Sequence, residues 1–346
     1  MQEVRVLAPA KVNLALRVGP PRPDGFHPLE TVFEALDLFD EIIVRSADEL
    51  SLSIEGAPGL PADSSNLAMR AAYALRERVG RVGGGAPGAG DSVRRFGGAD
   101  RPSRDSSQLP GAHMTIRKRI PVAGGMAGGS ADAAGALVAL NELWGCGLGA
   151  DELMALGAQL GSDVPFSLLG SLALGRGRGE ELTPLRCAAM HSWVLVVSDE
   201  GLSTPAVFRE FDRLAGATQS GPEVGGPGGQ THVGASPCPA RAEPDPTAGL
   251  RQALIGPDLA SLAEHMINDL QPAALSLRPD LAATLGHIAD CGVARILSGS
   301  GPTIAILAAD AASADSLAAR LAASLPELTI LRADGPAAGA HVAGVR

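Results

Sequence analysis

Pro121-Val-Ala-Gly-Gly-Met-Ala-Gly-Gly-Ser-Ala131 joins a strand-like run, Met114 to Ile120, to a helix-like run, Ala131 to Trp144. Four of its residues, Gly124, Gly125, Gly128 and Gly129, are glycines. Glycine tolerates positive φ and lets a ligand come close to the backbone. At the entrance to a helix, free N–H groups and the positive end of the helix dipole face such a ligand and favour an anion. The helix sets Ala133, Leu137, Leu140 and Trp144 along one face, with Ser130 as its expected N-cap. These features point to a polyphosphate site. The chain also holds 44 glycines in 346 residues, and glycine loops serve as plain turns, so the loop needs support from elsewhere.

Two familiar phosphate loops are excluded. A P-loop requires lysine after its last glycine, and none follows Gly128 or Gly129. The G-x-G-x-x-G spacing of dinucleotide sites is absent here, and the G-x-G-x-G at Gly175–Gly179 has no helix signal behind it. The pattern that remains is P-x-x-G-G-x-x-G-G-S-[AS] opening a helix.

Composition narrows the function classes. A formal net charge of -10 argues against a general nucleic-acid or anionic-membrane binder. No run approaches the ~20 apolar residues of a membrane span, and the charged N-terminus does not read as a signal peptide. Cys146, Cys187, Cys238 and Cys291 are widely spaced with no C-x-x-C, which argues against zinc or a disulfide framework. A soluble cytoplasmic protein with reduced thiols is expected. Aromatic residues make up only 3%, so the core must be largely aliphatic. Lys11 and Lys118 are the sole lysines among 28 basic residues. A lysine kept in so arginine-rich a chain suggests a need for a compact point charge. Lys118 lies between two arginines, whereas Lys11 stands alone.

Residues 4–18 alternate as a strand, with Lys11, Asn13, Ala15 and Arg17 on one face and Val12, Leu14, Leu16 and Val18 on the other. A wet polar face is the simpler meaning of that pattern. The turn Arg22-Pro-Asp-Gly-Phe-His-Pro28 presents Phe26 beside His27. The pair suits a nucleobase, by stacking and hydrogen bonding, or a hydrophobic anchor next to a solvated histidine. Two strands, Leu29–Leu36 and Glu41–Arg45, follow with a turn between them. A helix begins at Leu67, and Asn66 reads as its cap or as a ligand contact. Residues 83–112 and 215–249 are low in complexity and read as flexible insertions. A helix over Ala150–Leu160 is broken by Gly161-Ser-Asp-Val-Pro-Phe166, which leaves Asp163 in an extended or turn conformation. Residues 170–186 suggest a hairpin, and Trp193–Val197 a buried strand. Helices are expected over Asp258–Leu270, Pro279–Asp290 and Ala311–Ser324. Strands are expected over Val293–Leu297, Thr303–Leu307 and, last, Leu328–Leu331. Their alternation implies an α+β layer with an antiparallel sheet.

Three separated motifs, Pro9-Ala-Lys-Val-Asn-Leu14, Pro121 to Ala134, and Leu297-Ser-Gly-Ser-Gly-Pro-Thr303, together resemble the GHMP kinase superfamily. The resemblance runs over nearly the whole chain. It implies a two-domain α+β fold with the active site in the cleft between the domains. An N-terminal ribosomal-protein-S5-like α/β domain would span 1–190, and a C-terminal ferredoxin-like α+β domain 191–346. Within the superfamily, the Asp-Gly-Phe-His turn and Gly-Ser-Asp-Val-Pro are most similar to the branch that acts on a cytidine diphosphate-linked methylerythritol. That branch phosphorylates the 2-hydroxyl with ATP and magnesium, in the non-mevalonate route to isoprenoid precursors. A homoserine- or mevalonate-type kinase, or a non-catalytic sensor on the same fold, are the alternatives.

By the same resemblance, Lys11 and Asp163 match a catalytic pair. Asn13, Phe26 and His27 match acceptor contacts. Pro121, Val122, Ala123, Gly124, Gly125, Met126, Ala127, Gly128, Gly129, Ser130 and Ala131 match the ATP loop, with Asn66 near the adenine. Ser298, Gly299 and Gly301 form a supporting glycine motif. No acidic magnesium ligand stands out, and Ser130 is the candidate. The chain departs from the branch at Phe26, where tyrosine is frequent, and at Asp132, where asparagine is. A monomer or homodimer acting on a small molecule, without nucleic acid or membrane, is implied.

Overall fold

Strand β1, Glu3–Val18, and strand β2, Leu29–Ala47, form a long antiparallel pair at the centre of the first sheet in a computed structural model of the chain, which describes residues 2–83, 111–219 and 247–345. β3, Ser51–Glu55, and β4, Gly111–Arg117, extend this sheet on the β2 side. A hairpin of β5, Leu172–Arg176, and β6, Glu181–Pro184, pairs with the first half of β2. Helix α1, Leu67–Gly83, packs on α2, Gly128–Leu143, and α2 packs on β1 and β2. α2 is apolar nearly all round, which makes it a core helix. Its alanines, Ala131, Ala133, Ala134, Ala136 and Ala139, are fully buried. A Cβ at Gly135 would stand 2.8 Å from Ile42 Cγ1, so small residues let the helix lie close against the sheet. α3, Ala150–Leu160, and α4, Val164–Leu169, follow.

β7, His191–Val197, β9, Ala294–Leu297, β10, Ile304–Ala308, and β11, Thr329–Gly335, make a second, antiparallel sheet in the order β11-β7-β10-β9. This is the ferredoxin-like order. Residues on β7 alternate between two cores, as a two-residue period requires. Val194 and Val196 face a core with α5, Thr204–Gln219, α8, Gln271–Leu277, α9, Pro279–His287, and α10, Ala311–Ser324. Trp193, Leu195 and Val197 join the core of the first sheet, together with residues of α6, Ala248–Ile255, and α7, Leu259–His265.

Several expected boundaries move. The turn expected between Leu36 and Glu41 is absent, because β2 runs through it. The register jumps there, from Pro9↔Phe39 to Ala10↔Leu36, so the extra residues form a bulge beside a proline that cannot donate to the ladder. Ser130 is not a cap: α2 starts at Gly128 after Ala127 at φ 58, so Ser130 sits inside the first turn. The helix expected over Asp258–Leu270 ends at His265. Ile267–Asn268 instead form β8, parallel to β1. Nor does the chain end on the strand at Leu328–Leu331. β11 continues to Gly335, and β12, His341–Val345, returns to pair with β1, Val4 opposite Val345. The segment 191–346 thus lends β8 and β12 to the first sheet, and the two halves interlock. Most of the low-complexity stretches 83–112 and 215–249 lies outside the described residues. At their edges β4 already begins at Gly111 and α5 continues through Gln219.

Candidate active site

Between the two sheets lies a cleft of about 1020 Å³. The glycine loop forms one wall, where left-handed backbone recurs at every second residue: Ala123 at φ 53, Gly125 at φ 72 and Ala127 at φ 58. Such alternation folds successive N–H groups into an anion-binding concavity. Ala123, Gly124, Gly125, Ala127, Gly128 and Gly129 line the cleft. Met126 and Ala131 are buried in the core beneath it, and Pro121, Val122 and Ser130 are not among its lining residues. Asn66 also stays outside. Its Oδ1 caps α1 at Ala68 N, 2.9 Å away, and its Nδ2 donates to Pro61 O at 2.8 Å.

The second glycine motif braces the loop. Ser298 Oγ donates to Gly125 O at 3.0 Å. A Cβ on Gly125 would stand 2.8 Å from Gly301 O and closer still to Ser298 O. Gly299, at φ 58, passes so near β1 that a Cβ there would meet Lys11 Nζ at 3.2 Å. Asn268 secures this turn by donating to Leu297 O at 2.8 Å and Gly299 O at 2.7 Å.

Lys11 projects from β1 into the cleft, buried, 3.9 Å from Asp163 Oδ2. Its Nζ donates to Asn13 Oδ1 at 2.6 Å. Asn13 Nδ2 donates to Thr31 Oγ1 at 2.8 Å, and Thr31 donates to Ala15 O at 2.7 Å, which fixes the amide with its oxygen toward the lysine. Burial draws the Lys11 pKa below the ordinary lysine value, and Asp163 opposes it. Asp163 stands just before α4 in a helical turn conformation, φ -89 and ψ -9, rather than extended. The bulge in β1 between Asn13 and Ala15 re-aims the strand where its polar face meets the cleft.

Phe26 and His27 also line the cleft. Phe26 is 54% exposed, with the Arg178 guanidinium 5.5 Å from its ring centroid. His27 is buried, and its Nδ1 is 2.7 Å from Gly19 O, a contact only an N–H can satisfy. Its Nε2 lies 3.4 Å from Asp212 Oδ1, and its ring is tilted against Phe208 with centroids 5.2 Å apart. Thr204, Phe208, Arg209 and Asp212 reach the cleft from α5, and Arg178 from the β5–β6 hairpin. Local sequence does not mark these residues as part of a site. The available signal was Phe208 and Phe211 close together in a chain with seven phenylalanines.

Lys118 has a different role from Lys11. Its buried Nζ donates to Asp132 Oδ2 at 2.8 Å and to Asp40. Asp40 also accepts from the backbone N–H groups of Arg119, at 2.6 Å, and Ile120, at 2.9 Å. This cluster anchors the strand end that leads into the loop. Burial pushes Asp132 up to about 7, against the pull of Lys118 and with the repulsion of Asp40. A carboxyl whose folded pKa lies above its unfolded value loses stability as pH rises from the unfolded toward the folded pKa. Thermal midpoints at pH 5 and pH 8 should therefore fall with pH in the native protein, and Asp132→Asn should flatten that fall. An unchanged slope would show that Asp132 is not its source.

Residues 66–171 match the GHMP kinases N terminal domain family, and residues 250–327 match GHMP kinases C terminal. The chain belongs to the GHMP kinases, a class that uses ATP. It is 46% identical to the 4-diphosphocytidyl-2-C-methyl-D-erythritol kinase of Mycolicibacterium smegmatis, over 98% of this chain and 92% of that one. The protein of the same name from Streptomyces avermitilis is also 46% identical, over 98% and 99%. A crystal structure of a 4-(cytidine 5'-diphospho)-2C-methyl-D-erythritol kinase superposes with a TM-score of 0.65 at 29% identity, over 96% of this chain and 99% of that one. The mevalonate kinase of L. major, at 17% identity and TM-score 0.65 over 96% of both chains, shares the fold. Within its class, then, the chain falls in the 4-diphosphocytidyl-2-C-methyl-D-erythritol kinase family.

Among the described residues no helix is long and apolar enough to cross a membrane, and no three His, Cys, Asp or Glu side chains gather as a metal site. The donor set suits a magnesium ion held chiefly by phosphates and water. Ser130, the expected ligand, is not among the residues lining the cleft.

Proposed function

We propose that the chain transfers the γ-phosphoryl group of ATP to the 2-hydroxyl of 4-diphosphocytidyl-2-C-methyl-D-erythritol, in the non-mevalonate route to isoprenoid precursors. The observation that carries this reading is the Lys11–Asp163 pair, 3.9 Å apart in the same cleft as the glycine loop. Asp163 orients the acceptor hydroxyl and takes its proton. Lys11 faces Asp163 with the opposite charge and, held by Asn13, positions the nucleophile. Phosphoryl transfer passes through a loose transition state, so alignment and charge neutralisation matter more than basicity. The loop N–H groups meet the developing phosphate charge. Magnesium would be held mainly by the phosphates and water, with Ser130 as the candidate protein ligand, and would supply further neutralisation.

The acceptor's cytosine lies at the far end of the cleft, where Phe26 and Phe208 offer ring faces and His27 offers Nε2. His27 Nδ1 is already committed to Gly19 O, so the base would be met by Nε2, in place of its 3.4 Å contact with Asp212 Oδ1. Loss of one well-placed buried hydrogen bond to the ligand amounts to about 1.5 kcal/mol, or roughly tenfold in affinity. His27→Ala is expected to raise the acceptor KM by about tenfold or more while the ATP KM stays within about twofold. Equal weakening of both substrates would contradict the assignment. The reading as a whole is tested by phosphate transfer from labelled ATP to the cytidine diphosphate-linked acceptor, homoserine and mevalonate in parallel. Transfer to either of the last two in preference to the first would overturn it. Its proposed setting is the cytoplasm, as a monomer or homodimer.

A further inference from the structure

Outside the cleft, Glu34, His191 and Cys187 form a connected row. Thr31 and Phe33 line the cleft, so Glu34, next along β2, faces the other side of the sheet. Its carboxylate is fully buried, with Oε1 2.9 Å and Oε2 3.0 Å from His191 Nδ1. His191 opens β7 and is itself buried. Its remaining nitrogen, Nε2, lies 3.6 Å from Cys187 Sγ. Cys187 belongs to the connection between β6 and β7 and is partly exposed, between exposed Arg186 and Ala188. At rest its thiol donates to Ala189 O at 3.0 Å.

A buried Glu34–His191 pair has a structural use, since it ties β2 of the first sheet to β7 of the second. That use explains two members of the row and not the third. A carboxylate gripping one imidazole nitrogen while the other faces a thiol is the arrangement that activates cysteine nucleophiles. We propose that Cys187 is a reactive thiol, a modification site for low-molecular-weight disulfides, primed by His191 and Glu34. Burial disfavours charge on His191, yet the bonds to Cys187 and Glu34 outweigh it and the imidazole is held up to about 10. The protonated ring presents an N–H toward Sγ, 3.6 Å away, and meets the negative charge that develops on sulfur during attack. In the reaction the Cys187 sulfur attacks one sulfur of the disulfide. The new S–S bond forms as the old one breaks, and the departing thiolate takes up the proton that Cys187 released. The disulfide is the oxidant, and one equivalent of free thiol leaves.

The site is independent of the kinase reading and is tested apart from it. The full folded chain is incubated with oxidised glutathione at neutral pH, and mixed-disulfide formation is followed peptide by peptide with mass spectrometry. Cys146 and Cys291, which are also partly buried, serve as internal references. Cys187 is expected to react at least about tenfold faster than either, as thiolate-stabilised cysteines do. His191→Gln should slow Cys187 about tenfold and leave the references unchanged. If that variant does not fold, Glu34→Gln is read the same way. A native Cys187 no faster than Cys146 and Cys291 overturns the proposal without any variant. So does a Cys187 rate that neither substitution moves.

Discussion

Asp163→Asn is expected to lower turnover by about 10²- to 10⁴-fold, the range a positioned general base contributes, while ATP affinity changes by no more than about threefold. The carboxylate lies in the cleft 3.9 Å from Lys11 Nζ, whereas the loop that would hold the phosphates is built from backbone. The amide is isosteric, so the turn before α4 should survive. What disappears is the proton acceptor and the anion opposite a buried ammonium. Lys11, already drawn below its ordinary pKa by burial, then loses the one influence that raises it. Rates of ADP release, paired with nucleotide titration by calorimetry, separate the two effects. Turnover within about threefold of native would remove Asp163 from the chemistry.

The second large effect is expected at Gly125→Ala. Gly125 sits at φ 72, and left-handed backbone costs a non-glycine residue about 1–3 kcal/mol. The added methyl would also meet two carbonyls that cannot turn aside, Ser298 O and, at 2.8 Å, Gly301 O. The loop and the second glycine motif must then part, breaking the Ser298 Oγ to Gly125 O bond. ATP KM should rise at least about tenfold, since a loss of ~1.4 kcal/mol of binding is tenfold, and the thermal midpoint should fall. Gly129→Ala is the control for stability: its Cβ would meet nothing nearer than Leu67 Cδ1 at 3.7 Å. A native-like midpoint and ATP KM in Gly125→Ala would show that the loop yields where its geometry says it cannot.

Much of the local structure was legible beforehand. The helix at Ala150–Leu160 and the helix at Ala311–Ser324 follow from short-range signals, namely glycine placement, caps and periodicity, whereas the strand expected to reach Ile120 stops at Arg117. The errors share a cause. Leu36 to Glu41 carries turn-like polar residues, yet the long ladder with β1 absorbs them as a bulge. Met266 to Leu270 continues a helical pattern, yet Ile267 and Asn268 are captured by β1 and by the carbonyls of the Ser298 turn. In each case non-local pairing outweighed local preference.

The amino-acid sequence by itself determined the class of protein, the glycine loop and the polar residues worth suspecting, because glycine, turn and strand-alternation chemistry acts between neighbours. It also set Lys11 apart as one of two lysines. Only the tertiary structure decided what each does. Lys118 is neutralised by Asp40 and Asp132 beneath the loop, while Lys11 reaches Asp163 across the cleft. Phe208 and Asp212 join His27 only because α5 packs there, and Ser298 braces Gly125 across 173 residues. These contacts depend on distances closed by folding, about which the identities of adjacent residues say nothing.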